Sequence, residues 1–204
     1  KKEHDCVYIS SGAHTDKKTG IKGEDSAGVM SAVELLRRIG DDEMPDFAGQ
    51  NVAVIGEPGS WIDGSDCLDP KGEEGFRGPM GMVFCRCRGV TLRGYTYRNA
   101  ANWCHQLDSC IQVRMDHVTV LGGHDGVNLH HCTQVWIDSC DFRTGDDCIA
   151  GYDAENVVVR NCSLNTSCNS FRFGGRNLLV EHCRFWGPGE YPHRSSGRHN
   201  TLFA

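Results

Sequence analysis

Residues 135–142, "VWIDSCDF", decide the fold, because their pattern returns at a fixed interval. "VRMDHVTV" stands at 113–120, "VVVRNCSL" at 157–164 and "LLVEHCRF" at 178–185. Matching positions form columns. Leu92, Met115, Ile137, Val159 and Val180 are 23, 22, 22 and 21 residues apart. Tyr95, Val118, Cys140, Cys162 and Cys183 keep that spacing, as do Tyr97, Val120, Phe142, Leu164 and Phe185. A second strand in each repeat aligns Val127, Ile149 and Phe171. Short alternating runs at a period near 22, with Gly, Asn and Asp between them and no helical pattern, specify a solenoid. The chain therefore reads as mainly β, a parallel β-helix whose coils hydrogen-bond to one another about 4.8 Å apart. Residues one period apart stack directly. The column Cys140, Cys162, Cys183 then becomes a ladder of small inward side chains.

Working outward, the texture changes before residue 57. "DCVYISSG" (5–12) is a short apolar strand ending in Gly12. "SAGVMSAVELLRRIG" (26–40) has the spacing of an amphipathic helix, with Val29, Ala32, Val33, Leu36 and Ile39 on one face. Ser26 is its expected cap and Gly40 its stop. "NVAVIG" (51–56) is a second buried-type strand. The expected organisation is a short α/β segment over 1–56, then the parallel β-helix over 57–204. The chain opens Lys1-Lys2-Glu3 and closes "NTLFA", so it reads as a fragment whose solenoid is truncated at its C-terminal end.

Bulk properties narrow the function. The 204 residues carry a net charge of −6, which argues against a nucleic-acid binder with a basic face. No apolar run approaches the ~18 residues of a membrane span. Twelve cysteines occur without a C-x-x-C pair, which weakens a zinc-ribbon reading. Trp103, Trp136 and Trp186 sit in or beside apolar runs and read as packing residues. "WGPGEYPHRSSGRHN" (186–200) reads as a long loop able to wall a groove.

The chemistry concentrates in "RTGDDCIAG" (143–151). One period before Asp147 is Asp125, and one period before Asp146 is His124. One period after them stand Cys168 and Asn169. The register thus gathers His124, Asp125, Asp146, Asp147, Cys168 and Asn169 at one strand edge. Three acids so close repel when ionised, and some of their pKa values should rise. Glycoside hydrolysis with inversion needs a protonated carboxyl and a carboxylate that activates water, typically about 6.5–9.5 Å apart. An adjacent acid pair with a stacked third supplies both, provided the backbone turns there, since neighbours in a straight strand face opposite ways.

Residues 57 to about 190 resemble the polygalacturonase-type, pectin-degrading glycoside hydrolases, which implies a right-handed single-stranded parallel β-helix. "GDDCIA" is similar to that family's central motif, and "GHDGVNL" stands where its Asn-Thr-Asp-Gly-Ile-Asp segment falls. "SWIDGSD" resembles its early Ile-Asp-Gly turn, and "FRGPMGMVFCRCRGVTLRGYTYRNAANW" follows its Arg-Pro, Cys-x-Asn-Val and Asn-Ser-Pro-x-Trp pattern. The resemblance implies Asp146 as general acid, with Asp125 and Asp147 holding and activating water. His124, Asn169 and Arg172 are the candidate substrate-binding residues, Arg172 for an acidic sugar. The chain departs from the family near residue 168, where "SCNS" replaces its Gly-His-Gly histidine, and it lacks the later Arg-Ile-Lys segment.

The first 55 residues resemble flavin- and NAD(P)-dependent oxidoreductases of the glutamate-synthase small-subunit type. "NVAVIG" leads into "EPGSWIDGSD" rather than a G-x-G-x-x-G turn, so no dinucleotide site is expected. The expected partner is a polysaccharide or oligosaccharide, with no cofactor, metal, nucleic acid or membrane. Three other readings stay open: a non-catalytic carbohydrate-binding β-helix, a β-helix lyase with Ca²⁺ on its acids, and an inactive oxidoreductase fragment. Location is also open, since the resembled family is often secreted while many free cysteines suit a reducing compartment.

Overall fold

The computed structural model describes residues 6–10, 23–31, 34, 35, 38, 43, 45–56 and 59–200. The strands run in chain order β1 (Cys6–Ser10), β2 (Val29–Ser31), β3 (Asn51–Gly56), β4 (Trp61–Asp63), β5 (Met82–Cys85), β6 (Gly89–Arg93) and β7 (Thr96–Arg98). They continue as β8 (His105–Asp108), β9 (Ile111–Asp116), β10 (Thr119–Leu121), β11 (Val127–His130), β12 (Thr133–Asp138) and β13 (Asp141–Thr144). The last are β14 (Ile149–Arg160), β15 (Ser163–Thr166), β16 (Phe171–Glu181) and β17 (Arg184–Phe185). Every pairing among them is parallel.

Three strands build one coil, one more than the two per repeat visible in the sequence. The first face stacks β5, β8, β11 and the opening residues of β14 and β16. The second stacks β3, β6, β9, β12 and the later residues of β14 and β16. The third stacks β4, β7, β10, β13, β15 and β17. About five such turns form the right-handed parallel β-helix. The columns read from the sequence are its register: Leu92, Met115, Ile137, Val159 and Val180 pair in succession. So do Tyr97, Val120, Phe142, Leu164 and Phe185.

The solenoid stands because each coil turns its apolar residues inward. Leu92, Leu107, Leu129, Ile137, Phe142 and Leu164 are all fully buried, each contributing about 1.5–3 kcal/mol of transfer free energy. Cys140 and Cys162 are buried and Cys183 half-buried. Their thiols donate to carbonyls of the preceding coil, those of Met115, Ile137 and Val159. Corners recur at the period too. Ser109, His131 and Asp153 hold left-handed φ of 55°, 52° and 51° where the first face bends into the second. Polar residues tolerate that conformation better than branched apolar ones.

One expectation needs correction. The helix read from Ser26 is replaced at its start by β2, because Val29–Ser31 pair with Val7–Ile9 of β1 and strand pairing overrides the helical spacing. Helical backbone appears at residues 34, 35 and 38, and Ser31 rather than Ser26 caps it, its Oγ accepting from the Glu34 N–H at 3.1 Å. Val33, Leu36, Ile39 and Gly40, like Gly12 before them, lie outside the described residues. Trp103, Trp136 and Trp186 are half-buried and pack between coils, Trp136 beneath the Arg114 guanidinium at 5.2 Å and Trp103 edge-on to His130 at 5.8 Å. Strand β3 meanwhile lies in register on β6, Val52 against Val90 and Val54 against Leu92.

Candidate active site

Three successive turns carry the third face back to the first: residues 122–126, 145–148 and 167–170. Their backbones stack. The Cys104 N–H donates to the Asp125 carbonyl, Gly126 to that of Asp147, and Cys148 to that of Asn169, at 2.9, 2.9 and 3.0 Å. Asp125, Asp147 and Asn169 therefore form one column, as the period requires.

The turn at 145–148 is not a straight strand, which brings the side chains of Asp146 and Asp147 to the same region. The Thr144 hydroxyl donates to the Asp146 carbonyl at 2.6 Å, and the Thr166 hydroxyl donates to it from the next coil. Gly145 is required by close approach: a Cβ there would lie 2.6 Å from the carbonyl oxygens of Gly123 and Pro192.

One carboxylate oxygen each from Asp125, Asp146 and Asp147 lies within 4.8 Å of the others. Asp147 is buried and fully engaged. Its Oδ1 accepts from the Asn169 backbone at 3.2 Å and side-chain amide at 2.8 Å, and its Oδ2 accepts from Arg172 Nε. Arg172 Nη2 also stands 3.9 Å from Asp125 Oδ2, so one guanidinium supplies counter-charge to both acids. Asp125, 2% exposed, accepts from the Asn128 amide at 2.7 Å. Burial pushes its pKa up to about 7, with Asp146 and Asp147 adding to the rise and Asn128 and Arg172 opposing it.

Asp146 is the most accessible of the three, its side chain 19% exposed. Burial raises its pKa, but His124, Cys168 and His193 together outweigh that and hold the carboxyl below its ordinary value. His124 Nδ1 stands 4.0 Å from Asp146 Oδ2, a distance for charge attraction rather than a hydrogen bond. His124 itself is fully buried and stacks on Phe76 with centroids 5.5 Å apart.

The 186–200 stretch is a loop, as its composition suggests, and it folds back over this edge. Asn165 donates to the carbonyls of Trp186 and Pro188, both at 3.0 Å, and accepts from the Glu190 N–H at 2.7 Å. The loop thereby delivers His193 Nε2 to 3.8 Å from Asp146 Oδ2. An open cleft of about 190 Å³ lies beside them, lined by Ser167, Cys168, Asn169, His193, Ser196 and Asn200. The structure thus brings together the seven residues singled out from the sequence: His124, Asp125, Asp146, Asp147, Cys168, Asn169 and Arg172. Sequence reasoning missed His193, Asn128 and Phe76. His193 lies outside the repeat and carries no periodic signal, whereas Asn128 was legible as the inner neighbour of Asp125 on the same coil.

Comparison with known proteins agrees with this fold. The sequence profile of the glycosyl hydrolases family 28 matches residues 2–169. A polygalacturonase of Saccharomyces cerevisiae is 23% identical over 145 residues, covering 66% of this chain and 38% of its own length. A polygalacturonase of Malus domestica is 26% identical over 113 residues, covering 50% of this chain and 24% of its own. The chain thus spans well under half the length of these relatives. A solved structure from Parabacteroides merdae, described as a candidate glycosyl hydrolase, superposes with a TM-score of 0.50 at 14% identity, covering 66% of this chain and 74% of that one. The N-terminal segment is similar to the NADP(+)-dependent formate dehydrogenase subunit beta of Moorella thermoacetica, 34% identical over 58 residues, 28% of this chain and 8% of that protein.

Proposed function

The chain belongs to the glycosyl hydrolases family 28, and on that premise we propose that it hydrolyses glycosidic bonds of a pectin-like polysaccharide. The observation that supports this most directly is the convergence of Asp125, Asp146 and Asp147, with one carboxylate oxygen from each inside 4.8 Å. Among them Asp146 is best exposed to meet a sugar, so it is assigned the proton donor to the leaving oxygen. Asp125 and Asp147 hold and activate the water. Arg172, its side chain 63% exposed, pairs with Asp147 and presents positive charge to an acidic sugar.

The proton's resting place makes the proposal specific. Below about pH 7 the spare proton sits on Asp125, since Asp146 is held ionised. Substrate entering the cleft strips water from Asp146 and raises its proton affinity. The proton then passes from Asp125 to Asp146 across less than 4.8 Å, leaving Asp125 as the base.

The test is sugar release from polygalacturonate and other pectic polymers. Asp146→Asn should lower kcat by about 10³-fold or more. An aryl glycoside with a good leaving group should lose much less, because it needs little protonation. No release by the folded chain, or undiminished release by Asp146→Asn, would overturn the reading.

One observation favours a second outcome for the stereochemistry. One oxygen of each carboxylate lies within 4.8 Å of the others, whereas the carboxyl groups of inverting pairs typically stand roughly 6.5–9.5 Å apart and those of retaining pairs ~5–5.5 Å. The anomer first formed, followed by proton NMR, decides between inversion, which is proposed here, and retention.

A further inference from the structure

The hydrolytic reading uses Asp146 and leaves its immediate neighbours without a task. His124, Asp146 and Cys168 form a second column, one residue earlier than that of Asp125, Asp147 and Asn169, and His193 reaches the same point from the loop. An oxygen of Asp146, Cys168 Sγ and a ring nitrogen of His193 all lie within 4.8 Å of one another. His193 Nε2 and His124 Nδ1 approach the same Asp146 oxygen, at 3.8 and 4.0 Å. A tetrahedral ion with bonds of about 2.0–2.3 Å holds its donor atoms roughly 3.3–3.8 Å apart. Asp146, Cys168 and His193 need to contract by little more than an ångström to reach that geometry, with His124 joining them from its place 4.0 Å from Asp146.

His124 supplies an independent pointer. It is fully buried, and neither ring nitrogen has a hydrogen-bond partner among the described residues. A buried polar group left unpaired is unfavourable, and stacking on Phe76 satisfies neither nitrogen. The neighbouring acids Asp125 and Asp147 differ, because Arg172 already faces both. Cys168 and His193 line the open cleft, so an ion has a route in.

We propose that His124, Asp146, Cys168 and His193 bind a zinc-class divalent cation. A thiolate, two imidazoles and one carboxylate suit such an ion and not Ca²⁺ or Mg²⁺, which take oxygen ligands. Binding releases the Cys168 thiol proton to solvent. Because the ion takes Asp146, it competes with the glycosidic oxygen and inhibits reversibly. That consequence rests on the hydrolase reading, whereas the binding does not.

Cobalt(II) titrated into the full chain is the test, since a cobalt–thiolate bond absorbs in the near ultraviolet and tetrahedral cobalt absorbs in the visible. One equivalent should produce both bands. Cys168→Ser should remove the near-ultraviolet band although the other cysteines remain, and His193→Ala and Asp146→Asn should each weaken binding about tenfold or more. Unchanged circular dichroism checks that the variants fold. Absence of the bands at one equivalent, or a thiolate band of equal strength in Cys168→Ser, overturns the site. A chain that gives the cobalt spectrum but cuts no pectic polymer would sink the hydrolase reading alone.

Discussion

Asp125 shows how much of a residue's chemistry its neighbours set. Its position follows from counting one period back from Asp147, but its proton affinity does not. A carboxyl that titrates at about 7 rather than near 3.8 is the product of burial, two nearby acids and only partial relief from Asn128 and Arg172. If the proton on this triad is needed, kcat/KM should fall as pH rises through about 7, measured with a substrate that does not itself titrate there. A flat profile between pH 5 and 8 would count against the shared proton. The same shift bears on stability. The folded pKa lies above the unfolded one, so the native state's advantage is full below about pH 4 and is lost as pH rises through about 7. Asp125→Asn removes that burden. It should melt roughly 5–10 °C above wild type at pH 8 and no higher at pH 4, a comparison made by thermal scans at the two pH values.

At the scale of elements, the turns rather than the strands place the chemistry. Strands β13, β14 and β15 were legible because inward residues repeat, and the Gly-Asp-Asp turn between the first two was legible because acids interrupt that repeat. The loop over 187–200 was legible as a loop from its Gly, Pro and Ser, but not its path. Asn165, fully buried on β15, holds the start of that path through three hydrogen bonds, and Ser167 ties its later part to Tyr191 and Asn200. Asn165→Ala leaves two carbonyls and one N–H without this partner, at about 1–3 kcal/mol each. Trypsin should then cut at Arg194 or Arg198 at least about tenfold faster in native conditions, and equal rates would show that other contacts hold the loop. Gly151 tests the sheet in the same way. Its φ is +147° and an added Cβ would meet the Leu129 carbonyl at 2.1 Å, so Gly151→Ala should lower the melting temperature by about 5 °C or more.

The whole molecule is a stack in which each coil rests on its neighbours, so its last described coil is its weakest surface. Leu178, Leu179, Val180 and Phe185 there are 36–48% exposed, and β16 pairs with β14 on one side only among the described residues. An open parallel edge with apolar residues is a template for another strand. Light scattering should show association that rises with concentration, and Leu179→Lys should reduce it. Monomeric behaviour in both proteins at high concentration would remove this expectation.

The sequence by itself determined the solenoid, its period and the register that stacks Asp125 on Asp147 and His124 on Asp146. It could do so because a parallel coil converts spacing along the chain directly into contact across it. The tertiary structure alone decided the third strand of each coil, the pairing of β2 in place of a helical turn, and the arrival of His193 beside Asp146. It also set the burial that raises the proton affinity of Asp125. Those features depend on aperiodic loops, on edge pairing and on desolvation, and none of these leaves a repeat in the order of residues.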